Sequence, residues 1–195
     1  MGPLSEIGIL IVQTLSSLVL FTFILRLILQ LVRADFYNPI SQFVVKFTNP
    51  ALIPARRVIP AVGGIDTASV LIILLVQALT IVLLLSLHGA GFPPPLALIL
   101  WSVIGVLALV VSFYFYAVLA GIIISWVAPG SYHPAVALLH QLTEPVMTPF
   151  RKLLPAMGGL DLSPILVFLT INVVQVLLRH MAASTGLHPL LVFGI

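Results

Sequence analysis

The chain has no cysteine. That excludes disulfides, thiolate nucleophiles, iron–sulfur clusters and cysteine-based zinc sites, and it leaves the compartment open. Charge is almost as scarce. Eight Lys and Arg and five Asp and Glu amount to 7% of the 195 residues, where a soluble domain carries roughly 25%. So little charge cannot clothe a water-facing surface. With 61% hydrophobic residues and a mean hydropathy of +1.27, a soluble globule and a disordered chain are both excluded. The pI of about 9.7 invites a nucleic-acid reading. Eight cations, some of them needed at membrane edges, are too few for a polyanion-binding face, so no nucleic-acid partner is expected.

Catalytic signatures are missing as well. The sequence contains no Walker loop, G-x-G-x-x-G, G-x-S-x-G or H-E-x-x-H. The histidines at 88, 133, 140, 180 and 188 lack ligand spacing; His133 and His140 could share a helix face but have no carboxylate partner. No catalytic residue, cofactor or metal is therefore expected, and the chain is read as a non-enzyme.

What is present is long apolar sequence. A membrane-spanning helix needs about 20 apolar residues. Four stretches qualify, at about 7–31, 68–87, 102–126 and 162–178. The third lies inside an apolar run from Leu96 to Val127 that exceeds the roughly 30 Å hydrocarbon core, so a tilt or a break is expected, with Gly105 and Gly121 as weak points. The first stretch lacks the basic leader and the short apolar core of a cleavable signal.

An internal repeat organises the rest. Shifting the chain by 95 residues places Tyr37 on Tyr132, Thr48 on Thr143, Pro54 on Pro149, Arg56 on Arg151 and Asp66 on Asp161. Eleven of the 31 positions from 36 to 66 are identical without a gap; chance at about one in twenty would give one or two. Each unit, 1–95 and 96–195, reads as span, polar and proline-rich loop, span. Two spans per unit give a parallel duplication. The loops at 32–66 and 128–161 hold six Lys and Arg, against Arg179 alone on the other side. Short basic loops stay in the cytoplasm, so both long loops are expected there and both termini outside.

Each loop also carries an amphipathic segment. Ile40, Phe43, Val44 and Phe47 recur at helical spacing opposite Ser41, Gln42 and Lys46; Val136, Leu139 and Leu142 do the same. Pro39 and Pro134 suit a first turn, and Pro50 and Pro145 are expected to end each helix. Such segments belong in the membrane interface.

The pattern Asn49-Pro50, Pro54, Arg56-Arg57, Pro60-Ala61, Gly63-Gly64-Ile65-Asp66 recurs as Glu144-Pro145, Pro149, Arg151-Lys152, Pro155-Ala156, Gly158-Gly159-Leu160-Asp161. It resembles the YggT (YGGT) family of bacterial inner-membrane proteins, with one unit in each half. The resemblance implies an all-α, four-span protein of the inner membrane. It also implies loose links to osmotic-stress tolerance, ion homeostasis, membrane and division organisation and, in plastids, cytochrome maturation. It carries no catalytic residues.

Three groups of residues are candidates for function. Gly63, Gly64 and Asp66, with Gly158, Gly159 and Asp161, stand at the mouths of the second and fourth spans. A pair of membrane aspartates could be an acid/base dyad, but at the membrane edge the simpler reading is helix capping. Gln77 and Asn172 are repeat equivalents near mid-depth, expected to face each other as interhelical glue; lining an ion path is the alternative. Arg56, Arg57, Arg151 and Lys152 lie between prolines and should meet anionic lipid headgroups or an acidic partner segment. Arg26, near the end of the first span, is expected to snorkel to the headgroups. The preferred function is a non-enzymatic organiser or assembly aid for membrane components, working with another membrane protein or as a homo-oligomer. A small channel or transporter component for ions is the rival.

Overall fold

A computed structural model describes residues 2–153 and 161–194. Six helices follow in order: α1 (Pro3–Leu31), α2 (Pro39–Val58), α3 (Thr67–Leu87), α4 (Pro95–Val127), α5 (Pro134–Leu153) and α6 (Ser163–Ser184), with a 3-10 turn at Pro189–Leu191. Helices α1, α3, α4 and α6 are long and apolar enough to cross a membrane. Large apolar side chains such as Leu10, Leu75 and Leu169 stand outward along them, an arrangement that suits lipid and not water.

Both units repeat one packing scheme. The first span of each packs on the second, and the intervening helix braces both. The units join where α3 packs on α4, so α6 lies at an edge against α4 and α5. The main core gathers Leu20, Ile24 and Leu29 of α1, Ile73 of α3, Leu52 of α2 and Leu138 and Leu142 of α5.

Helix α4 is unbroken through Gly105 and Gly121. Its 33 residues extend about 50 Å, so length is absorbed without a break. Gly105 serves packing: a Cβ there would lie 2.8 Å from Val192 Cγ1 and 3.0 Å from Gln77 Nε2. That approach involves the segment after α6, which folds back along α4. There Leu187, Leu191 and Val192 are buried, Gln13 donates to the Leu190 carbonyl at 3.2 Å, and Gly194 reaches Ser112.

The loop helices differ from expectation in length. Helices α2 and α5 continue past Pro50 and Pro145, and also past Pro54 and Pro149. The prolines of each pair are four apart and all four are exposed. The carbonyls that lose a backbone donor therefore open toward solvent or headgroups, while the opposite face holds the helix. That buried face is Ser41, Val44, Thr48 and Leu52 in α2, and Leu138, Leu142, Thr143 and Met147 in α5. Phe43 and Phe47 instead point outward from the protein, their rings 6.4 Å apart.

Candidate interface at the loop face

Gly63 and Gly64 build the first site. Both have positive φ, 60° and 81°. Around them Val62 and Ile65 exchange backbone hydrogen bonds of 3.2 and 3.0 Å. This two-residue turn needs left-handed backbone at both central positions, which glycine adopts without a Cβ clash. The turn sends the chain back so that Asp66, at the mouth of α3, meets Arg56 at the end of α2. Arg56 Nε and Nη2 both donate to Asp66 Oδ2, at 3.1 and 2.5 Å, and the Ser69 hydroxyl donates to the same oxygen. The Asp66 side chain is 4% exposed. Burial pushes its pKa up, but the hydrogen bonds from Arg56 and Ser69 and the Arg56 charge outweigh that and hold it below the ordinary carboxylate value.

The capping expected of Asp66 is weak: its carboxylate makes no close cap hydrogen bond, and the Ser69 backbone N–H is the smallest of the causes that lower its pKa. The guanidinium takes that place, because the glycine turn delivers Arg56 to it. In the second unit Asp161 keeps more of the capping role. Its Oδ1 accepts from the Ser163 N–H at 2.9 Å and the Ser163 hydroxyl at 2.5 Å, while Oδ2 accepts from Arg151 Nε at 3.1 Å. Gly158 and Gly159 lie outside the described residues.

Arg56 and Arg151 are thus equivalent members of a duplicated Arg–Asp pair, not free surface cations. The expected headgroup set of Arg56, Arg57, Arg151 and Lys152 divides in two. Arg57 and Lys152 are exposed and make no ion pair with the described residues. Arg151 has a second partner, Glu144, at 2.9 and 2.7 Å through Nη1. Burial and the Thr148 and Arg151 hydrogen bonds act in opposite directions on Glu144, and the hydrogen bonds prevail, so its pKa falls. The two loop helices are also tied together. Asn38 caps α2 through Ile40 N–H at 3.0 Å and donates to the Pro134 carbonyl at 2.7 Å, and Gln141 accepts from Asp35 N–H at 2.9 Å.

The mid-depth amides do not meet. Gln77 is fully buried, and both its amide atoms lack partners among the described residues. Asn172 faces outward and donates to the Phe168 carbonyl of its own helix at 2.7 Å. The expectation that spans two and four meet at the centre fails because α3 is sandwiched between α1 and α4, whereas α6 lies at the edge. Equal depth did not mean a shared neighbour. Arg26 also departs from expectation. It does not reach out along the periphery; it is buried, with Phe36 5.3 Å below its guanidinium. The sequence signal was there, since Arg26 and Gln30 lie one turn apart, but nothing in it showed which side of α1 would be covered.

Duplicated helical units, four candidate spans and a matched ion pair at each loop define a polytopic all-α membrane protein built by tandem repetition. The family model for CCB3/YggT matches residues 5–87 and again 100–182, the same 95-residue offset, and the chain belongs to that family. It is 50% identical to an uncharacterized protein of Pseudomonas aeruginosa over 186 residues, 94% of each chain. It is 38% identical over 180 residues to the uncharacterized protein YggT of Escherichia coli, covering 90% of this chain and 91% of that one. A protein of Vibrio alginolyticus, also uncharacterized, is 42% identical over 162 residues, 82% of this chain and 86% of that one. No solved structure matches.

Proposed function

We propose that the protein is a non-enzymatic organiser of the bacterial inner membrane. In this reading the long loops are cytoplasmic, both ends of the chain lie toward the outside, and α2 and α5 rest at headgroup level. They present Arg57 and Lys152 to anionic lipid and to a partner membrane protein or a second copy of the chain. The observation that carries the reading is the duplicated Arg56–Asp66 and Arg151–Asp161 pair. It pins the end of each loop helix to the mouth of a span and leaves the next cation outside. Fixed, paired presentation of two amphipathic helices suits docking and assembly, in envelope-stress or division settings of the kind the family resemblance implies.

The rival, an ion channel component, needs a polar track through mid-depth. Gln77 sits beside Gly105 and Val192, and Asn172 faces the opposite environment, so the amides supply no such track. The experiment is photocrosslinking from positions 57 and 152 in native membranes. The expected result is the same membrane-protein adduct from both positions, lost when Phe43 and Phe47 are both changed to Ser. Lipid adducts alone from both positions would overturn the organiser reading.

A further inference from the structure

The duplicated ion pair is not electrically the same in the two units. In the second, Arg151 meets two carboxylates, Asp161 and Glu144. In the first, the position matching Glu144 is Asn49, and the position matching Gly121 is Arg26. The first site therefore holds two cations, Arg26 and Arg56, against the single carboxylate of Asp66. The second holds one cation against two carboxylates. The second unit supplies its own extra anion, and the first has a cation to spare.

That spare cation is in an unusual place. Arg26 is 8% exposed. Its Nε and Nη1 are buried without a partner among the described residues, as is the Oε1 of Gln30 one turn away. A buried guanidinium with idle N–H groups is costly unless something accepts from it. Beside it lies a cavity of about 310 Å³, lined by Arg26, Gln30, Phe36, Arg56, Ala61 and Asp66. It sits at the loop-face end of α1, about 8 Å along the helix axis from its last residue. Asp66 does not reach Arg26 Nε or Nη1, and its Oδ2 is taken by Arg56 and Ser69. The Phe36 ring lies under the guanidinium and lines the same cavity.

We infer that this cavity binds a phosphate group, which accepts from the idle N–H groups of Arg26 with Arg56 as the second cation. Planar guanidinium edges match phosphate oxygens in pairs. The group is either the phosphodiester of an anionic lipid entering from the headgroup layer or free phosphate entering from the aqueous side. The site is separate from the exposed cations Arg57 and Lys152, and it stands whether or not those recruit a partner.

The test uses the full chain in nonionic detergent, with one thiol introduced into the cysteine-free background by Ala61→Cys at the cavity wall, and Ala51→Cys on exposed α2 as control. The readout is the rate of maleimide labelling during titration with phosphatidylglycerol, phosphatidylcholine or inorganic phosphate. Protection at 61 and not at 51 is expected. Protection by phosphatidylglycerol alone assigns a lipid source; protection by inorganic phosphate as well assigns the free anion. Arg26→Gln should raise the required concentration about tenfold, as expected for one lost charge-assisted pair, while Arg57→Gln shifts it by less than about twofold. Should Arg26→Gln not fold, Arg26→Lys keeps the charge, loses the paired geometry and should weaken protection in the same direction. No protection at 61 by any probe means that water alone fills the cavity, and equal protection with and without the Arg26 guanidinium means that the probe is held by other groups; either result overturns the inference.

Discussion

Removing Asp66 should cost the protein far more than removing its repeat counterpart Asp161. In Asp66→Ala, the guanidinium of Arg56 loses the one carboxylate oxygen that accepts from its Nε and Nη2, and Ser69 loses the same acceptor. Two cations, Arg56 and Arg26, are then left around one cavity with no anion between them. Breaking a fully buried pair by removing one partner costs about 3–5 kcal/mol. Arg56 keeps 35% of its side-chain surface exposed, so water recovers part of that, leaving about 2–3 kcal/mol. At the second site the Asp161 side chain is 41% exposed, and Arg151 retains Glu144 at 2.7 Å. An exposed pair with a surviving partner is worth about 0–1 kcal/mol. The gap of about 2 kcal/mol is close to a 30-fold difference in the unfolding equilibrium. Reversible unfolding of both variants in one detergent, by SDS titration or steric trapping, measures it directly. Costs within about 0.5 kcal/mol of each other, or a larger cost at 161, would refute the argument that burial and partner number separate the two sites.

Gly105→Ala should destabilise by about 1–3 kcal/mol through overpacking, because the new Cβ falls 2.8 Å from Val192 Cγ1; Val192→Ala in the same chain should restore part of the loss, and additive losses would sink the contact. Gln77→Leu should leave stability unchanged or raise it by about 1 kcal/mol, since it removes two buried amide atoms that lack partners among the described residues; a clear loss in the same unfolding assay would mean that the amide is satisfied. Asp66, Glu144 and Asp161 all have pKa values below their ordinary 3.8, 4.5 and 3.8. A depressed carboxylate stabilises above its ordinary value and loses that contribution as pH falls through the folded value. Thermal stability should therefore hold from pH 7 to about 5 and drop below about 4, with a smaller drop in Asp66→Asn. A midpoint that falls steadily between pH 7 and 5 would assign the loss to other groups.

The membrane class, the four spans, the tandem repeat and the neighbourhood of the candidate residues were all legible in the amino-acid order. Those features follow from quantities that need no neighbour: apolar run length, charge scarcity, and a 95-residue self-match. The glycine pair could be read too, since left-handed backbone is a local demand. Packing between helices set which side of each helix has company. The prolines of α2 and α5 looked like helix ends because a lost N–H is a local penalty. They are tolerated because packing of Val44 and Leu52, or Leu142 and Met147, holds the opposite face while the freed carbonyls open outward. Arg56 and Asp66 are ten residues apart in sequence, and the glycine turn alone made them partners. Gln77 and Asn172 have the same depth and the same repeat position, yet α3 lies between two spans and α6 lies at an edge. The burial of Arg26 depends on how α2 and the glycine turn fold over α1, and the tail along α4 on how the chain turns back after α6. Periodicity in one segment carries no information about a surface that another segment supplies.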